Sequence, residues 1–192
     1  MPKKPKRPAR VTEVLGFVNA AWKEYWYRSV GFEKADRVSR EAREFGTRVH
    51  GLIEDYLVSK AVTFTVNSDE EQCAKLIIDW LNKEEVKILY IEESLEDKKL
   101  NLVGHTDLIA EYKGEPVIID WKMSKEHRTE YPLQKAAYAK MANAKFKMSI
   151  NKGITVRVDK EKMELDVKVY EGLIKVYWPK FKSCLQVYRI FK

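Results

Sequence analysis

The chain has 192 residues, of which 45% are apolar and 34% charged, and its formal net charge is +7. This composition is typical of a soluble globular protein and excludes a disordered chain, and no apolar run approaches the roughly 18–20 residues that cross a bilayer. Five of the 36 Lys and Arg residues lie in residues 1–10, so the rest of the chain carries 31 cations against 29 acids. The charge therefore predicts a near-neutral domain behind a basic, flexible tail of residues 1–10, which either contacts phosphates non-specifically or only aids solubility.

The two cysteines and the N-terminus bear on the cellular compartment. Cys73 and Cys184 lie far apart without CxxC spacing, which predicts neither a disulfide framework nor a structural zinc site. The basic N-terminus has no apolar signal core. We therefore expect an intracellular, reduced location in a cytoplasm (nucleoid-associated or in a host cell), with no membrane partner.

The first predicted helix runs from residue 11 to about residue 28. Its apolar residues recur at steps of three and four, and Trp22, Tyr25 and Trp26 are among them. These aromatic side chains either pack in the core or stack on nucleic-acid bases beside Lys23. The helical spacing favours packing.

Two further helices complete an N-terminal helical region over residues 11–82. One is predicted over residues 33–58, with an interruption near Gly46, and the other over residues 68–82. Ser68 and Glu71 have the spacing of a capping box at the start of the latter helix.

The pattern of residues 83–192 predicts an α/β (α+β) core. We expect this core to form a single domain together with the helical region. A three-strand antiparallel meander is followed by a helix, a hairpin and a final helix, which Pro179 bends or restarts. The predicted strands are residues 86–96, 102–112, 116–122, 154–158 and 164–170, and the helices start near Pro132 and Glu171.

The meander places two carboxylates together. A two-residue turn at Lys113–Gly114 sets Asp107 directly opposite Asp120, and Lys122, two residues on, points to the same face. Opposed like charges repel, and a divalent cation with carboxylate ligands resolves that conflict. The alternative is a solvated sheet edge, but the apolar residues around Asp120 predict a strand buried on both faces.

Polar side chains also line the edges of two helical apolar stripes. His50 and Glu54 lie four residues apart on one helix, and Gln134 and Tyr138 on another. Arg48 either meets a phosphate or is simply solvated. Each pair taken alone is typical of an ordinary boundary between core and solvent.

Together these residues resemble the motifs of the PD-(D/E)XK nuclease superfamily, in its RecB-like exonuclease branch. The resemblance covers roughly residues 40–145 and implies a restriction-endonuclease-like core with a central mixed β-sheet flanked by helices. The matching motifs, in chain order, are GxxxHxxxE at Gly46, His50 and Glu54, GxxD at Gly104 and Asp107, DxK at Asp120 and Lys122, and QxxxY at Gln134 and Tyr138.

The resemblance implies a role for each motif residue. Asp107 and Asp120 would bind the catalytic Mg²⁺ or Mn²⁺, and His50 would add a nitrogen ligand, which tends to favour Mn²⁺. Lys122 would orient the attacking water or stabilise the transition state, and its acidic neighbours should keep it protonated. Glu54 would hold a second metal ion or its water ligand. A separate pair, Gln134 and Tyr138, would position the nucleic-acid strand.

The resulting hypothesis is a metal-dependent deoxyribonuclease, an exonuclease on single-stranded DNA or DNA ends in recombination, repair or replication. The alternatives are a structure- or sequence-specific endonuclease of the same fold and a non-catalytic DNA-binding subunit. Two cysteines exclude the four-cysteine iron–sulfur cluster of some relatives, and the lack of a GxxxxGK[ST] loop predicts no use of ATP. A separate helicase or recombination protein is therefore a candidate partner. Cleavage polarity and the number of metal ions stay open.

Overall fold

A computed structural model describes residues 7–59 and 65–192. Within these ranges six α-helices and six strands form around one mixed sheet. The helices are α1 (Val11–Val18), α2 (Ala20–Val30), α3 (Phe32–Ser59), α4 (Asp69–Lys83), α5 (Glu130–Phe146) and α6 (Trp178–Ile190). The strands are β1 (Ala9–Arg10), β2 (Lys87–Asp97), β3 (Leu102–Tyr112), β4 (Glu115–Met123), β5 (Lys152–Asp159) and β6 (Glu164–Glu171). None of the helices in these ranges is both long and apolar enough to span a membrane.

The centre of the sheet is β3, which has strands along both edges. β2 pairs with it antiparallel along one edge. The other edge is shared by β1, which is parallel to Leu102 and Val103, and by β4, which is antiparallel to residues 108–112. β5 then pairs parallel with β4, and β6 pairs antiparallel with β5. The predicted mixed sheet with a three-strand meander is confirmed.

The predicted register between β3 and β4 is also confirmed. Lys113 and Gly114 both have positive φ angles, 52° and 80°, as a tight type I′ hairpin turn requires. The ladder runs from the turn to Leu108, which pairs with Ile119, and stops there. Asp107 and Asp120 occupy the next position in this register, where the two strands begin to part.

Each face of the sheet packs against its own set of helices. On β4 the side chains alternate: Ile118 belongs to the core shared with α1, α5 and α6, whereas Val117, Ile119 and Trp121 belong to the core shared with α3 and α4. All four are fully buried, as the apolar strand predicts. By the same alternation, Asp120 and Lys122 point towards α5.

α3 is one continuous helix, so the predicted interruption near Gly46 is wrong. A glycine inside a helix costs about 1 kcal/mol. Burial of a stripe of α3 that includes Val49, Ile53 and Leu57 outweighs that cost.

The capping of α4 follows the prediction in part. The Ser68 hydroxyl accepts the Glu71 backbone N–H at 3.2 Å. The Glu71 carboxylate accepts the N–H of Asn67 at 2.7 Å, so the return bond reaches one residue further back than in a standard capping box.

The N-terminal region departs most from expectation. The helix predicted over residues 11–28 breaks at Asn19 into α1 and α2, and α2 has no buried residue. Trp22 and Tyr25 are 59% and 72% exposed, so the prediction that they pack in the core is wrong. The predicted tail is also shorter than ten residues because residues 9–10 form β1; its first six residues lie outside the described ranges.

The C-terminal helix starts where Pro179 predicts a restart. Residues Leu173–Tyr177 form a π-helical turn, and α6 begins at Trp178 with Pro179 in its first turn. Proline is tolerated there because the first N–H groups of a helix have no intrahelical partner.

Candidate active site and metal centre

Asp107 lies where the ladder between β3 and β4 ends, and only 8% of the residue is exposed. Its Oδ2 accepts the backbone N–H of Trp121 at 3.1 Å, so the side chain replaces the missing ladder bond. Its Oδ1 lies 3.6 Å from Nδ1 of His50, which α3 brings from the opposite face of the sheet. Burial raises the pKa of Asp107; the charge of Asp120 adds to this and His50 opposes it.

Asp120, on β4, is 1% exposed and bonds to two ammonium groups. Lys122 Nζ donates to Oδ1 at 2.6 Å and Lys135 Nζ donates to Oδ2 at 3.1 Å. Burial alone would raise the pKa of Asp120, but the two lysines outweigh burial and lower the pKa to about 2. Burial also opposes the charge on Lys122, yet Asp120 and Asp107 raise its pKa well above the usual range. The Lys122–Asp120 pair is therefore ionised at neutral pH, as predicted for Lys122.

Lys135 is a site residue that the sequence did not indicate. It is 0% exposed, and its ammonium group faces the rings of Tyr131 and Tyr170 at 5.7 and 5.8 Å. Its stem fills the space above Gly153, where an added Cβ would lie 2.8 Å from the lysine Cδ. Burial lowers the pKa of Lys135 to about 8 although Asp120 opposes the shift. The spacing of residues in the sequence does not distinguish this buried lysine from the solvent-exposed lysines of other helices.

Glu92 of β2 is a second unpredicted residue. Ile91 pairs with Leu108 and Glu93 pairs with Thr106, so Glu92 lies opposite Asp107. A bulge between Ile88 and Tyr90 adds one residue to β2 and creates this register. The Glu92 backbone has a φ of +48°, which is rare for a residue with a side chain and is concentrated at functional sites.

Three carboxylates therefore form a row across adjacent strands, in the order Glu92, Asp107 and Asp120. Burial raises the pKa of Glu92, the Asp107 charge adds to this, and His105 opposes it. Nε2 of His105 lies 2.5 Å from Glu92 Oε2 and holds that oxygen in place. The other oxygen, Oε1, is buried without a hydrogen-bond partner among the described residues. A buried carboxylate oxygen without a partner is costly unless a cation or water satisfies it.

The donor set fits a divalent metal ion. His50, Glu92 and Asp107 each offer one ligand atom, and these three atoms lie within 4.8 Å of one another. One imidazole nitrogen and two carboxylates suit Mn²⁺ and related ions, and the unpartnered Glu92 oxygen supplies the acceptor that such an ion would satisfy. Asp120 lies outside this group and bonds to lysines instead, so an ion shared by Asp107 and Asp120 stays a prediction.

The α5 motif forms the wall of the site next to β3. Gln134 Nε2 donates to the Tyr138 hydroxyl at 2.9 Å. The Tyr138 ring is 2% exposed and packs on Gly104, where an added Cβ would lie 2.6 Å from the ring. Gly104 is thus required by the close approach of the aromatic ring. Burial raises the pKa of Tyr138, so the phenol is neutral at physiological pH.

Two predicted site residues lie apart from this cluster. Glu54 is exposed on α3 and is not among the three donors of the metal group found in the described ranges. Arg48 forms an ion pair with Glu70 of α4 at 2.8 Å. A role for Glu54 at a second metal ion and a phosphate contact for Arg48 both stay predictions.

Comparison with known proteins identifies the family. The model of the PD-(D/E)XK nuclease superfamily matches residues 66–173, more than half of the chain. The chain belongs to this superfamily of nuclease enzymes. The matched segment contains Glu92 and the predicted residues on β3, β4 and α5, whereas His50 precedes it.

The chain is also similar to individual exonucleases. Mitochondrial genome maintenance exonuclease 1 of mouse is 25% identical over 177 residues, which are 87% of this chain and 52% of the mouse protein. The human protein of that name is 23% identical over 191 residues, 93% of this chain and 55% of the human protein. The chain thus spans about half the length of these relatives. The crystal structure of an alkaline exonuclease from Laribacter hongkongensis superposes with a TM-score of 0.45 at 10% identity, covering 77% of this chain and 90% of that one.

Proposed function

We propose that this chain is a divalent-metal-dependent deoxyribonuclease that acts as an exonuclease on single-stranded DNA or DNA ends. Family membership supports phosphodiester hydrolysis, and the relatives from mouse and human are named exonucleases. The observation that carries the proposal is the row of Glu92, Asp107 and Asp120, with His50 at one side and a cationic lysine at the other.

The metal centre of this proposal consists of His50, Glu92 and Asp107, with Mn²⁺ or Mg²⁺ as the ion. Such an ion, when bound, supplies positive charge that polarises the phosphodiester and lowers the pKa of water. The protein prepares the centre by fixing two of the donors. The Trp121 backbone N–H holds Asp107, and His105 holds Glu92. Ligands held in this way bind with less loss of side-chain freedom.

Lys122 supplies the protein's own electrostatic contribution. Its pKa is raised by Asp120 and Asp107, so it does not act as a proton acceptor at neutral pH. A fixed ammonium group instead stabilises the negative charge that develops on the phosphoryl oxygens as water attacks phosphorus and the bond to the leaving oxygen breaks. Asp120 positions this ammonium group through the 2.6 Å bond to Oδ1.

The proposal is tested by incubating the full chain with 5′- and 3′-labelled linear strands, circular single strands and duplexes, with Mg²⁺, with Mn²⁺ and with EDTA. We expect metal-dependent cleavage of linear substrates that starts at one end and spares circles. Lys122→Met and Asp107→Asn should abolish cleavage while circular dichroism reports an intact fold. Glu96→Gln, an exposed carboxylate on the same strand as Glu92, is the matched control and should retain activity.

Three results would contradict the proposal in distinguishable ways. Cleavage of circular single strands would identify an endonuclease. DNA binding without any product over hours, with metal present and the fold intact, would identify a non-catalytic subunit. Full activity of Lys122→Met would remove the assigned active site.

A further inference from the structure

The α2 helix carries three aromatic side chains that we call the aromatic ridge: Trp22 and Tyr25, which are exposed, and Trp26, which is half-buried. Trp22 and Tyr25 are among the most exposed large apolar side chains of the described residues, at 59% and 72%. The rings of Trp22 and Trp26, one helical turn apart, are parallel within 1° with centroids 6.4 Å apart. Because α2 buries no residue, this ridge contributes little to the core and is typical of an interaction surface.

The aromatic ridge adjoins the proposed active site through the connection between β4 and α5. The guanidinium group of Arg128 in this connection lies 5.8 Å from the centre of the Trp22 ring. The carbonyl of Arg128 accepts the backbone N–H of Tyr131 at 3.2 Å. The Tyr131 ring in turn faces the Lys122 ammonium group at 5.6 Å. A continuous chain of contacts therefore leads from the ridge to Lys122.

We propose that the aromatic ridge stacks on the unpaired bases of a DNA single strand whose backbone enters the active site. This inference rests on the proposed nuclease function and names its substrate as single-stranded. Flat aromatic faces stack on any base, and the cations Lys23 and Arg128 beside the ridge complement the phosphates. The 6.4 Å between the two Trp rings corresponds to about two steps of 3.4 Å along a strand.

Single strands suit this ridge better than the other candidate occupants. Bases in a duplex already stack on one another and present only their edges, so they have no free face for Trp22 or Tyr25. A second copy of the chain would cover the apolar rings but would leave the flanking cations facing the same cations of the partner. The two occupants predict different outcomes in the same experiment.

The test measures binding by the full chain carrying Lys122→Met, in EDTA, so that no strand is cut. Three fluorescent probes are compared by anisotropy: a single-stranded 20-mer, an abasic 20-mer of equal charge, and a 20-base-pair duplex. We expect the normal single strand to bind most tightly and to quench tryptophan fluorescence. Trp22→Ala combined with Tyr25→Ala should weaken this binding by about tenfold per ring removed while leaving the abasic strand's affinity unchanged. Phe191→Ala, which removes a ring 69% exposed at the C-terminus, is the matched control and should bind like the parent.

Several outcomes would overturn the inference. These are equal affinity for normal and abasic strands, unchanged affinity of the double variant, or concentration-dependent dimers that the double variant abolishes. The fold is checked by thermal unfolding, which should be unaffected because α2 buries no residue. Failure here leaves the nuclease assignment standing if the wild-type chain still cuts DNA. Conversely, if the chain does not cut DNA but still binds single strands in a base-dependent way, the nuclease proposal fails and the inference about the aromatic ridge stands.

Discussion

Gly104→Ala is a direct test of how α5 is seated on the active-site strand. A Cβ at this position would lie 2.6 Å from Cε1 and 3.0 Å from Cδ1 of the Tyr138 ring, and 3.1 Å from Cε of Met141. Carbon atoms in contact are normally about 3.5–4.0 Å apart, so the methyl group overlaps the buried ring by about 1 Å. Overpacking of this kind costs about 1–3 kcal/mol. For a chain of this size that is a fall in melting temperature of roughly 4–8 °C at 2 kcal/mol.

The assay compares thermal unfolding of the parent, Gly104→Ala, Tyr138→Leu and the double variant. Because a leucine leaves room for the new methyl group, Gly104→Ala should cost less in the Tyr138→Leu background than alone. Gly16→Ala in α1 is the control: its Cβ meets nothing within 4 Å, and alanine should stabilise the helix by about 0.5–1 kcal/mol. Strictly additive costs, or an unchanged melting temperature for Gly104→Ala, would refute the proposed contact.

Three further substitutions test a metal ligand, a positioning residue and a buried thiol, each by a different measurement. Glu92→Gln removes a charge that burial and the neighbouring carboxylate disfavour, so calorimetry should find a more stable metal-free protein whose stabilisation by Mn²⁺ is largely lost; an undiminished Mn²⁺ effect would exclude Glu92 as a ligand. Lys135→Met keeps the buried volume but removes one of the two lysines on Asp120, so steady-state kinetics should report kcat lowered about tenfold or more with KM little changed; an unchanged kcat would reject a positioning role. Burial raises the pKa of Cys73 to about 11, so the unfolded chain releases this proton first and the free energy of unfolding should fall between about pH 9 and 11. That fall should be smaller in Cys73→Ala when the free energy of unfolding in urea is measured as a function of pH. Parallel curves for the parent and the variant would contradict a raised pKa at Cys73.

The meander could be predicted from the sequence because its determinants are local. A two-residue turn fixes which residues face each other, and the apolar residues on both sides of Asp120 fix the burial of β4. The turn places Asp107 and Asp120 at the next position of the register beyond the ladder, and the alternation of side chains along β4 places Lys122 on the same face as Asp120. Strand geometry alone therefore predicts that the acidic residues of the DxK and GxxD motifs lie close together, independently of the family resemblance.

Glu92 and Lys135 could not be predicted for two different reasons. Glu92 faces Asp107 only because a bulge adds a residue to β2. The residue types near Leu89 do not predict this bulge. Without that residue Ile91 would stand opposite Asp107. Lys135 follows Gln134 directly, and helical periodicity does not reveal that Gly153 of β5 leaves space for its stem. Both positions depend on tertiary contacts between elements distant in the chain.

The error over α2 has a similar origin. Periodicity identifies an apolar face but not whether another element covers it. The regular spacing of Trp22, Tyr25 and Trp26 is real, yet α2 buries no residue, and Trp22 and Tyr25 stay exposed. The resulting exposed face is the observation on which the stacking inference rests.

The three carboxylates lie close together on neighbouring strands, and the fold compensates for their repulsion. The ladder between β3 and β4 ends beside them, so Asp107 replaces a lost backbone bond through the Trp121 N–H. Asp120 bonds to two lysines, which leaves Glu92 and Asp107 as the pair whose pKa values are both raised. A divalent ion bound by this pair and His50 would remove their repulsion without disturbing the lysines of Asp120. The same ion would therefore stabilise the fold and complete the active site, which is why metal-dependent melting and metal-dependent cleavage should be lost together in Asp107→Asn.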